Sequence, residues 1–311
     1  MPPLHGTEAS AVSLINPAGD GAPARAAMRD AERAARQAGV TIRDVAELTD
    51  IDVVCRLFDT IWRPDPHHRP VTADVLRALA KGGNYVGGAF ADDRLVGACA
   101  GFFAPPRELS LHSHITGVAD EAHGRHVGYA LKLHQRAWAV QHGLTSITWT
   151  FDPLVCRNAY FNLAKLAAEP VEYLPNFYGD MKDGINGGDD TDRLYVRWHL
   201  HADAVAVACS GSPARHSTGT YLRQGARIGL GTAPDGGPQA GDLGADTVLV
   251  AVPPDIERLR IEAPDRARLW RRAVREVFAT LMGEGAHVTG FDRAGHYVFG
   301  RKTPKGTAPC I

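Results

Sequence analysis

The chain has 311 residues, enough for two ordinary domains or for one domain with a large extension. Its 34 basic residues face 35 acidic ones, a balance that gives no electrostatic case for nucleic acid or an acidic membrane surface as partner. No apolar run reaches the roughly 18 residues of a membrane span. Five scattered cysteines (Cys55, Cys99, Cys156, Cys209, Cys310) form no CxxC pair, which fits free thiols in a reducing compartment.

Residues 1–23 are rich in Ala, Gly and Pro without a period and read as a disordered lead-in. They lack the charged start and apolar middle of a secretory signal, so the expected location is the cytoplasm. Residues 24–38 are strong helix formers ending at Gly39. VTIRDV (40–45) suits a strand. Thr49 and Asp52 make a T-x-x-D capping box, and Ile51, Val54, Leu57, Phe58, Ile61 and Trp62 follow at helical spacing. Pro64, Pro66 and Pro70 interrupt that pattern before a short helix capped by Thr72, with Val75, Leu76 and Leu79 inward. Residues 84–105 read as a hairpin turning at Asp92-Asp93, and 108–118 as the next strand. Residues 127–141 form a helix ending at Gly143, with Ala130, Leu131, His134, Ala137 and Trp138 on one face. SITWTFDP (146–153) is a strand, 158–166 a helix, and 171–174 and 193–200 further strands. Residues 201–246 look loop-like, with Gly and Pro clusters around 231–244. A strand at 247–253, an amphipathic helix at 264–283 and a closing hairpin complete the chain. From residue 40 the order is β-α-α-β-β-β-α-β-α-β-β, with no repeat of fixed period.

The stretch DEAHGRHVGYALKLHQRAW (119–137) puts a glycine-bearing turn at the start of a helix. A helix N-terminus leaves backbone N–H groups unpaired and carries partial positive charge. Glycines let a pyrophosphate approach those amides.

Val118, EAHGRHVGYAL (121–131), SITWTF and the helix near Asn158, in this element order, resemble the GNAT acyltransferase superfamily. The wider run HSH, GYALK, QRAW, WTFDP and RNAYFNL resembles a branch of predicted acetyltransferases carrying a C-terminal extension. The resemblance covers about residues 40 to 200. It implies an α/β fold with a GNAT-like mixed, mostly antiparallel sheet flanked by helices, plus a C-terminal α/β extension. The expected divisions are a lead-in and helix at 1–39, the acyltransferase domain at 40–200 and a strand-helix-hairpin extension at 201–311. It further implies acetyl-CoA or another acyl-CoA as co-substrate and transfer to a small-molecule amine. In the family the fourth and fifth strands splay apart, and the pantetheine arm pairs with the exposed edge of the fourth.

The family's turn runs Arg/Gln-x-x-Gly-x-Gly/Ala. Counting five residues on from Val118 gives His123-Gly124-Arg125-His126-Val127-Gly128. His123 then replaces the basic or amide residue and His126 the first glycine. A register starting at Arg125 fits the letters but loses the Gly-x-x-Leu step that Gly128 and Leu131 preserve. The resemblance thus assigns coenzyme binding to His123, Gly124, Arg125, His126, Val127, Gly128, Tyr129 and Ala130. Val118 is the expected backbone donor to the thioester carbonyl, and Asn158 either binds pantetheine or simply caps its helix. If His126 has helical φ/ψ, it needs no glycine, and its N–H serves as well.

Five of the 14 histidines lie between 112 and 134. Strand alternation puts Ser110, His112, His114 and Thr116 on one face. That face would line the thioester cleft, where a neutral imidazole can take a proton from an attacking ammonium. His114, then His112, are the favoured bases. Zinc bound by His112, His114, His123 and His126 is a rival reading that spacing alone supports weakly, and no metal is expected. A third reading makes these histidines structural. The tyrosine that often protonates the leaving thiolate in the family is absent, since Leu163 holds its place; Tyr160 or Tyr178 could serve, or could be packing aromatics. Asp152 is a further candidate for orienting or deprotonating substrate, although Asp-Pro is also an ordinary turn starter.

The resemblance thus implies an N-acyltransferase, with a homodimer left open. The rivals are a GNAT-fold enzyme of other chemistry (CoA-thioester decarboxylation or hydrolysis, or a cofactor-free reaction) and a non-catalytic ligand-binding protein.

Overall fold

The structure is a computed structural model that describes residues 21–64, 69–179, 189–211 and 217–301. Most of the predicted lead-in, Pro66, residues 180–188 and Cys310 lie outside the described residues.

Helix α1 (Ala22–Ala38) buries Ala24, Ala27, Ala31, Ala34 and Ala38, a stripe at three- and four-residue steps that lies on the later helix α4. It stops at Gly39, whose φ of 65° sends its N–H back to the carbonyls of Ala35 and Arg36. Strand β1 (Thr41–Asp44) leads into α2 (Leu48–Trp62) and α3 (Ala73–Lys81). Thr72 caps α3 as expected, accepting from the Val75 N–H. The capping box at Thr49 does not form, because α2 begins two residues earlier, with Glu47 as an N-cap that makes no side-chain bond. Val75 points outward while Leu76 is buried, since the short α3 buries a narrow stripe.

Strands β2 (Val86–Ala91) and β3 (Arg94–Phe103) form the predicted hairpin. Asp92 and Asp93 have φ of 46° and 64°, the left-handed pair that a tight two-residue hairpin turn needs. Next come β4 (Ser110–Val118), α4 (Val127–Gln141), β5 (Ser146–Phe151), α5 (Cys156–Ala159) continuing as a π-helix over Tyr160–Lys165, β6 (Glu169–Leu174) and β7 (Arg193–His199). The sheet order is β1-β2-β3-β4-β5-β7-β6, antiparallel at each pairing except β4 with β5. This is the expected mixed, mostly antiparallel sheet. Helices α2 and α3 pack on one face, over β2 to β4; α4 lies on the other, beneath α1.

The stretch expected to be loop holds α6 (Asp203–Cys209), α7 (Thr218–Arg223), β8 (Arg227–Thr232) and β9 (Pro238–Ala240). Each is too short to build a periodic window, which is why the pattern is silent. Strand β10 (Thr247–Ala251), α8 (Ile256–Glu262), α9 (Pro264–Gly283), β11 (His287–Phe291) and β12 (His296–Gly300) complete a second sheet, ordered β11-β12-β10-β8-β9. One apolar core runs from Trp149 and Trp198 of the first sheet to Val250, Phe278 and Tyr297 of the second unit.

The two sheets are also joined by charge. The carboxylate of Asp152, at the end of β5, accepts from Arg260 (2.6 Å) and from both terminal nitrogens of Arg271 (2.9 and 2.8 Å). Asp189 takes the same two arginines at 3.3 and 3.1 Å. Arg275 of α9 binds Asp190 and Asp192, each at 2.6 Å. The Tyr297 hydroxyl donates to the Pro153 carbonyl at 2.8 Å.

Candidate active site

Strands β4 and β5 pair only at Ser110 with Ser146, Leu111 with Ile147 and His112 with Thr148. Beyond that point the edge of β4 from Ser113 to Val118 has no partner on the β5 side among the described residues. The registry with β3 jumps from Ala100–Ile115 to Gly101–Ser113, leaving His114 as the extra residue of a β-bulge. Gly101 permits this approach: a Cβ there would sit 2.7 Å from the His112 carbonyl oxygen. The bulge breaks the expected alternation. Ser113 faces α4, Ile115 joins the α2–α3 cluster, and Thr116 turns back to donate to Cys99 Sγ at 3.0 Å. Thr116 therefore leaves the face on which His112 stands.

His112 is half-buried at the apex of the splay. Its Nδ1 lies 3.2 Å from Thr148 Oγ1, and its ring stacks on Tyr195 (6.5 Å) and tilts against Phe102 (5.1 Å). Burial, helped by the charges of His114 and Lys132, pushes its pKa down to about 4, so the imidazole is neutral at pH 7. His114 is exposed, with its ring 6.4 Å from that of His112 and its Nε2 3.5 Å from the Pro70 carbonyl. Tyr178, also exposed, shares a 3.0 Å hydrogen bond with Thr150 and lies beneath the guanidinium of Arg193.

A cross-strand row fixes what surrounds His112. Phe102 of β3, His112 of β4, Thr148 of β5, Arg197 of β7 and Glu169 of β6 are successive register partners. Leu194, Val196 and Trp198 point into the core, so Tyr195 and Arg197 share the face of His112. Glu169 is held by His199 at 3.2 Å. Arg197 Nε is buried and meets no hydrogen-bond partner among the described residues.

The far end of the free β4 edge meets the turn. His123, Gly124, Arg125 and His126 are all exposed. The amides of His123 and Arg125 turn inward to the carbonyls of Asp120 and Ala122, whereas those of Gly124, His126, Val127 and Gly128 meet no acceptor among the described residues. His126 is the N-cap of α4 at φ 64° and ψ 18°. The condition that His126 be helical is therefore not met: it adopts the left-handed conformation that glycine supplies without strain. Gly124 has φ 78° with open space where a Cβ would stand. No acidic residue occupies the first turn of α4. Four free amides at the start of a 15-residue helix are a fit for a diphosphate. The side chains of the turn point elsewhere. His123 Nε2 lies 3.2 Å from the Val118 carbonyl, and Arg125 reaches the carbonyls of Ala38 and Gly39 at the end of α1. Tyr129 donates to Cys209 of α6 at 3.3 Å, and Ala130 is buried.

Other candidates sit apart from the apex. The Tyr160 hydroxyl accepts from Arg293 at 3.0 Å, in the β11–β12 turn. Asp152 is buried, and both its oxygens are taken by arginines. Burial alone would raise its pKa, but Arg271 and Arg260 hold the carboxyl well below the usual range. Asn158 is the third residue of α5, which starts at Cys156, so it is not the N-cap. The described residues contain no group of three or more His, Cys, Asp or Glu side chains placed to share a metal. No described helix is long and apolar enough to cross a membrane.

Lys132 was not among the sequence candidates. It is buried in α4 beneath the splay, where Nζ donates to Ser113 Oγ (2.7 Å) and Gln135 Oε1 (3.1 Å) and lies 4.0 Å above the Trp149 ring. Burial pushes its pKa down to about 8. Its contacts with Ser113 and Trp149 put it on the face of α4 turned to the sheet, where a lysine gives no apolar signal in the sequence.

A mixed sheet whose fourth and fifth strands part, with a free-amide turn at the end of the fourth, defines a GNAT-type acyltransferase fold. Residues 22–153, somewhat under half of the chain, match the family model described as Acetyltransferase (GNAT) domain. No curated protein matches the chain in sequence. Among solved structures it is similar to RimJ of Mycobacterium smegmatis in complex with CoA-disulfide (19% identity, 57% of this chain and 92% of that chain, TM-score 0.45). It is also similar to yncA of Salmonella typhimurium with its cofactor acetyl-CoA (15%, 53% and 96%, TM-score 0.43). A third likeness is to ribosomal-protein-alanine N-acetyltransferase of Brucella melitensis (16%, 51% and 99%, TM-score 0.43).

Proposed function

We propose that this protein transfers an acyl group, acetyl in the first instance, from coenzyme A to the amine of a small molecule. The observation that carries the reading is the continuity of the site. Free amides of Gly124, His126, Val127 and Gly128 stand at one end of an unpaired strand edge, and a pair of histidines stands at the other. The strand between Ser113 and Val118 spans about 17 Å at the usual rise per residue. Those amides would hold the diphosphate, and the edge of β4 the pantetheine arm. When bound, acyl-CoA supplies the acyl group as a thioester.

The amine nitrogen attacks the thioester carbonyl, forming the C–N bond as the C–S bond breaks. His112 receives the amine proton. With Nδ1–H donated to Thr148 Oγ1, Nε2 keeps its lone pair, and the depressed pKa keeps it unprotonated at neutral pH. His114, exposed beside it, passes the proton to solvent. This order reverses the expectation from sequence, because the bulge turns His114 outward. A backbone N–H near the splay apex polarises the carbonyl; Val118, six residues away, is better placed to bind the pantetheine arm. Tyr178 borders the acceptor side, whereas Tyr160 and Asp152 serve the joint with the second sheet. The thiolate leaves unaided or with solvent as acid.

Calorimetric titration with CoA and acetyl-CoA tests the first half of this reading, and thiol release over an amine panel tests the second. Absence of CoA binding would end the proposal.

A further inference from the structure

We propose that the acceptor amine also carries an anionic group, a carboxylate in the first instance, and that Arg197 is the residue that holds it; this rests on the acyl-transfer reading above. Arg197 stands two strands from His112 in one cross-strand row, His112 to Thr148 to Arg197. At the usual strand spacing their backbones are about 10 Å apart. Both side chains leave the same face of the sheet, and an arginine side chain is long enough to cover much of that gap.

Within the protein the guanidinium acts on Glu169 through its charge alone. Its Nε is buried without a partner, and it forms no hydrogen bond or ion pair among the described residues. A buried donor without an acceptor is rare enough in folded proteins to call for a reason, and an absent ligand is one. Its cross-strand partner Glu169 is engaged by His199 at 3.2 Å and remains beyond ion-pair distance of Arg197. The fork of an arginine matches a carboxylate with two parallel hydrogen bonds. The same face carries Arg193 over Tyr178, and the ring wall of Phe102, His112 and Tyr195 flanks the row. An amine alone gains nothing from this arginine and meets like charge there. An amine bearing a carboxylate would be oriented by it, with its nitrogen toward His112. Arg197 is thus a positioning and specificity residue, not a catalytic one.

The test is thiol release from acetyl-CoA with matched pairs: γ-aminobutyrate against n-butylamine, phenylalanine against 2-phenylethylamine, and O-phosphoethanolamine against ethanolamine. The expected result is a kcat/KM for the carboxylated member about 10- to 100-fold above its partner, as a charge-assisted hydrogen bond supplies. The third pair distinguishes carboxylate from phosphate. R197M should bring the ratio to about 1 through KM, and R197K should restore part of it. A wild-type ratio near 1 for every pair, or a ratio that R197M leaves intact, overturns the proposal. If R197M fails to fold, the wild-type ratios and R197K decide. If no pair yields thiol, the transfer reading fails, and calorimetry on the CoA-saturated protein still decides this one. γ-Aminobutyrate binding that R197M removes supports it; binding equal to that of n-butylamine, or none, overturns it.

Discussion

Replacing Asp152 by Asn separates a structural carboxylate from a catalytic one. The wild-type side chain accepts from Arg260 at 2.6 Å, from Arg271 at 2.9 and 2.8 Å, and from the Leu154 N–H at 2.9 Å. Asn keeps the volume and one acceptor but removes the charge and turns an NH2 toward a guanidinium. Arg260 and Arg271, 4% and 2% exposed, would then lose one of the two carboxylates they share and keep Asp189. Removing one partner of a buried pair costs about 3–5 kcal/mol, which sets the expected loss near 4. At about 2 °C per kcal/mol for a chain of this size, Tm should fall by about 8 °C. Urea denaturation of wild type, D152N, R271M and the double variant measures the loss, and the pair should show positive coupling. The pH dependence carries a second signature. The folded carboxyl titrates below its ordinary 3.8, so its contribution is complete above that pH and is lost as pH falls through the folded value. The gap between wild type and D152N should therefore be flat from pH 8 to about 4 and narrow only in stronger acid. Thiol release per folded molecule should be unchanged. A D152N protein within 1 kcal/mol of wild type, or one that is stable and inactive, would refute the structural assignment.

Three further outcomes follow from single sites. His126→Gly removes a left-handed strain of about 1–2 kcal/mol and gives back part of it through a freer unfolded chain, so a net gain of about 0.5–1 kcal/mol in urea is expected; a loss of stability would contradict the strained turn. For His112, the kcat profile should lose activity only as pH falls through about 4, because the base works deprotonated; an acid limb near the ordinary 6.5 would remove it as proton acceptor. Lys132→Met tests the buried amine. Since the folded lysine titrates near 8 and the unfolded one near 10.5, the unfolded chain holds the extra proton between those values. Wild-type stability should thus rise relative to K132M across pH 8 to 10.5, by about 3 kcal/mol at most; a constant difference would mean that the amine is not desolvated.

How much of this was legible in the sequence depended on how local each cause is. Helix α9 was readable over residues 264–283 because Trp270, Val274, Phe278 and Leu281 make a continuous stripe behind Pro264 at the first helical position. The Asp92-Asp93 turn and the Thr72 cap are equally local. The turn at 123–128 was legible in place but not in conformation, since nothing in the letters fixes the φ of His126. Strand alternation failed at His114 because a bulge is a relation to the neighbouring strand, here permitted by Gly101. Lys132 and Arg197 were invisible for the same reason. Lys132 owes its burial to β4 and β5, through Ser113 and Trp149, and Arg197 its role to a register across three strands. Asp152 read as a site residue because its partners stand 108 and 119 positions away.

The second sheet grips the elements that bound the splay, which makes it part of the proposed site and not an appendage. Helix α6 meets the start of α4 through Tyr129, and Arg33 of α1 donates to Cys209 of α6 at 2.8 Å. Arg260, Arg271 and Tyr297 hold the end of β5, and Arg275 holds the lead into β7. The β4–β5 ladder itself contributes three residue pairs, too few to fix the opening alone. Cutting the chain after residue 200 would also strand Asp152 and Asp192 as buried carboxylates without their arginines, each an unpaired charge worth several kcal/mol. Residues 1–200 alone should therefore be insoluble or melt without cooperativity. A cooperative melt of that fragment with intact CoA binding would show that the splay is set within the first sheet.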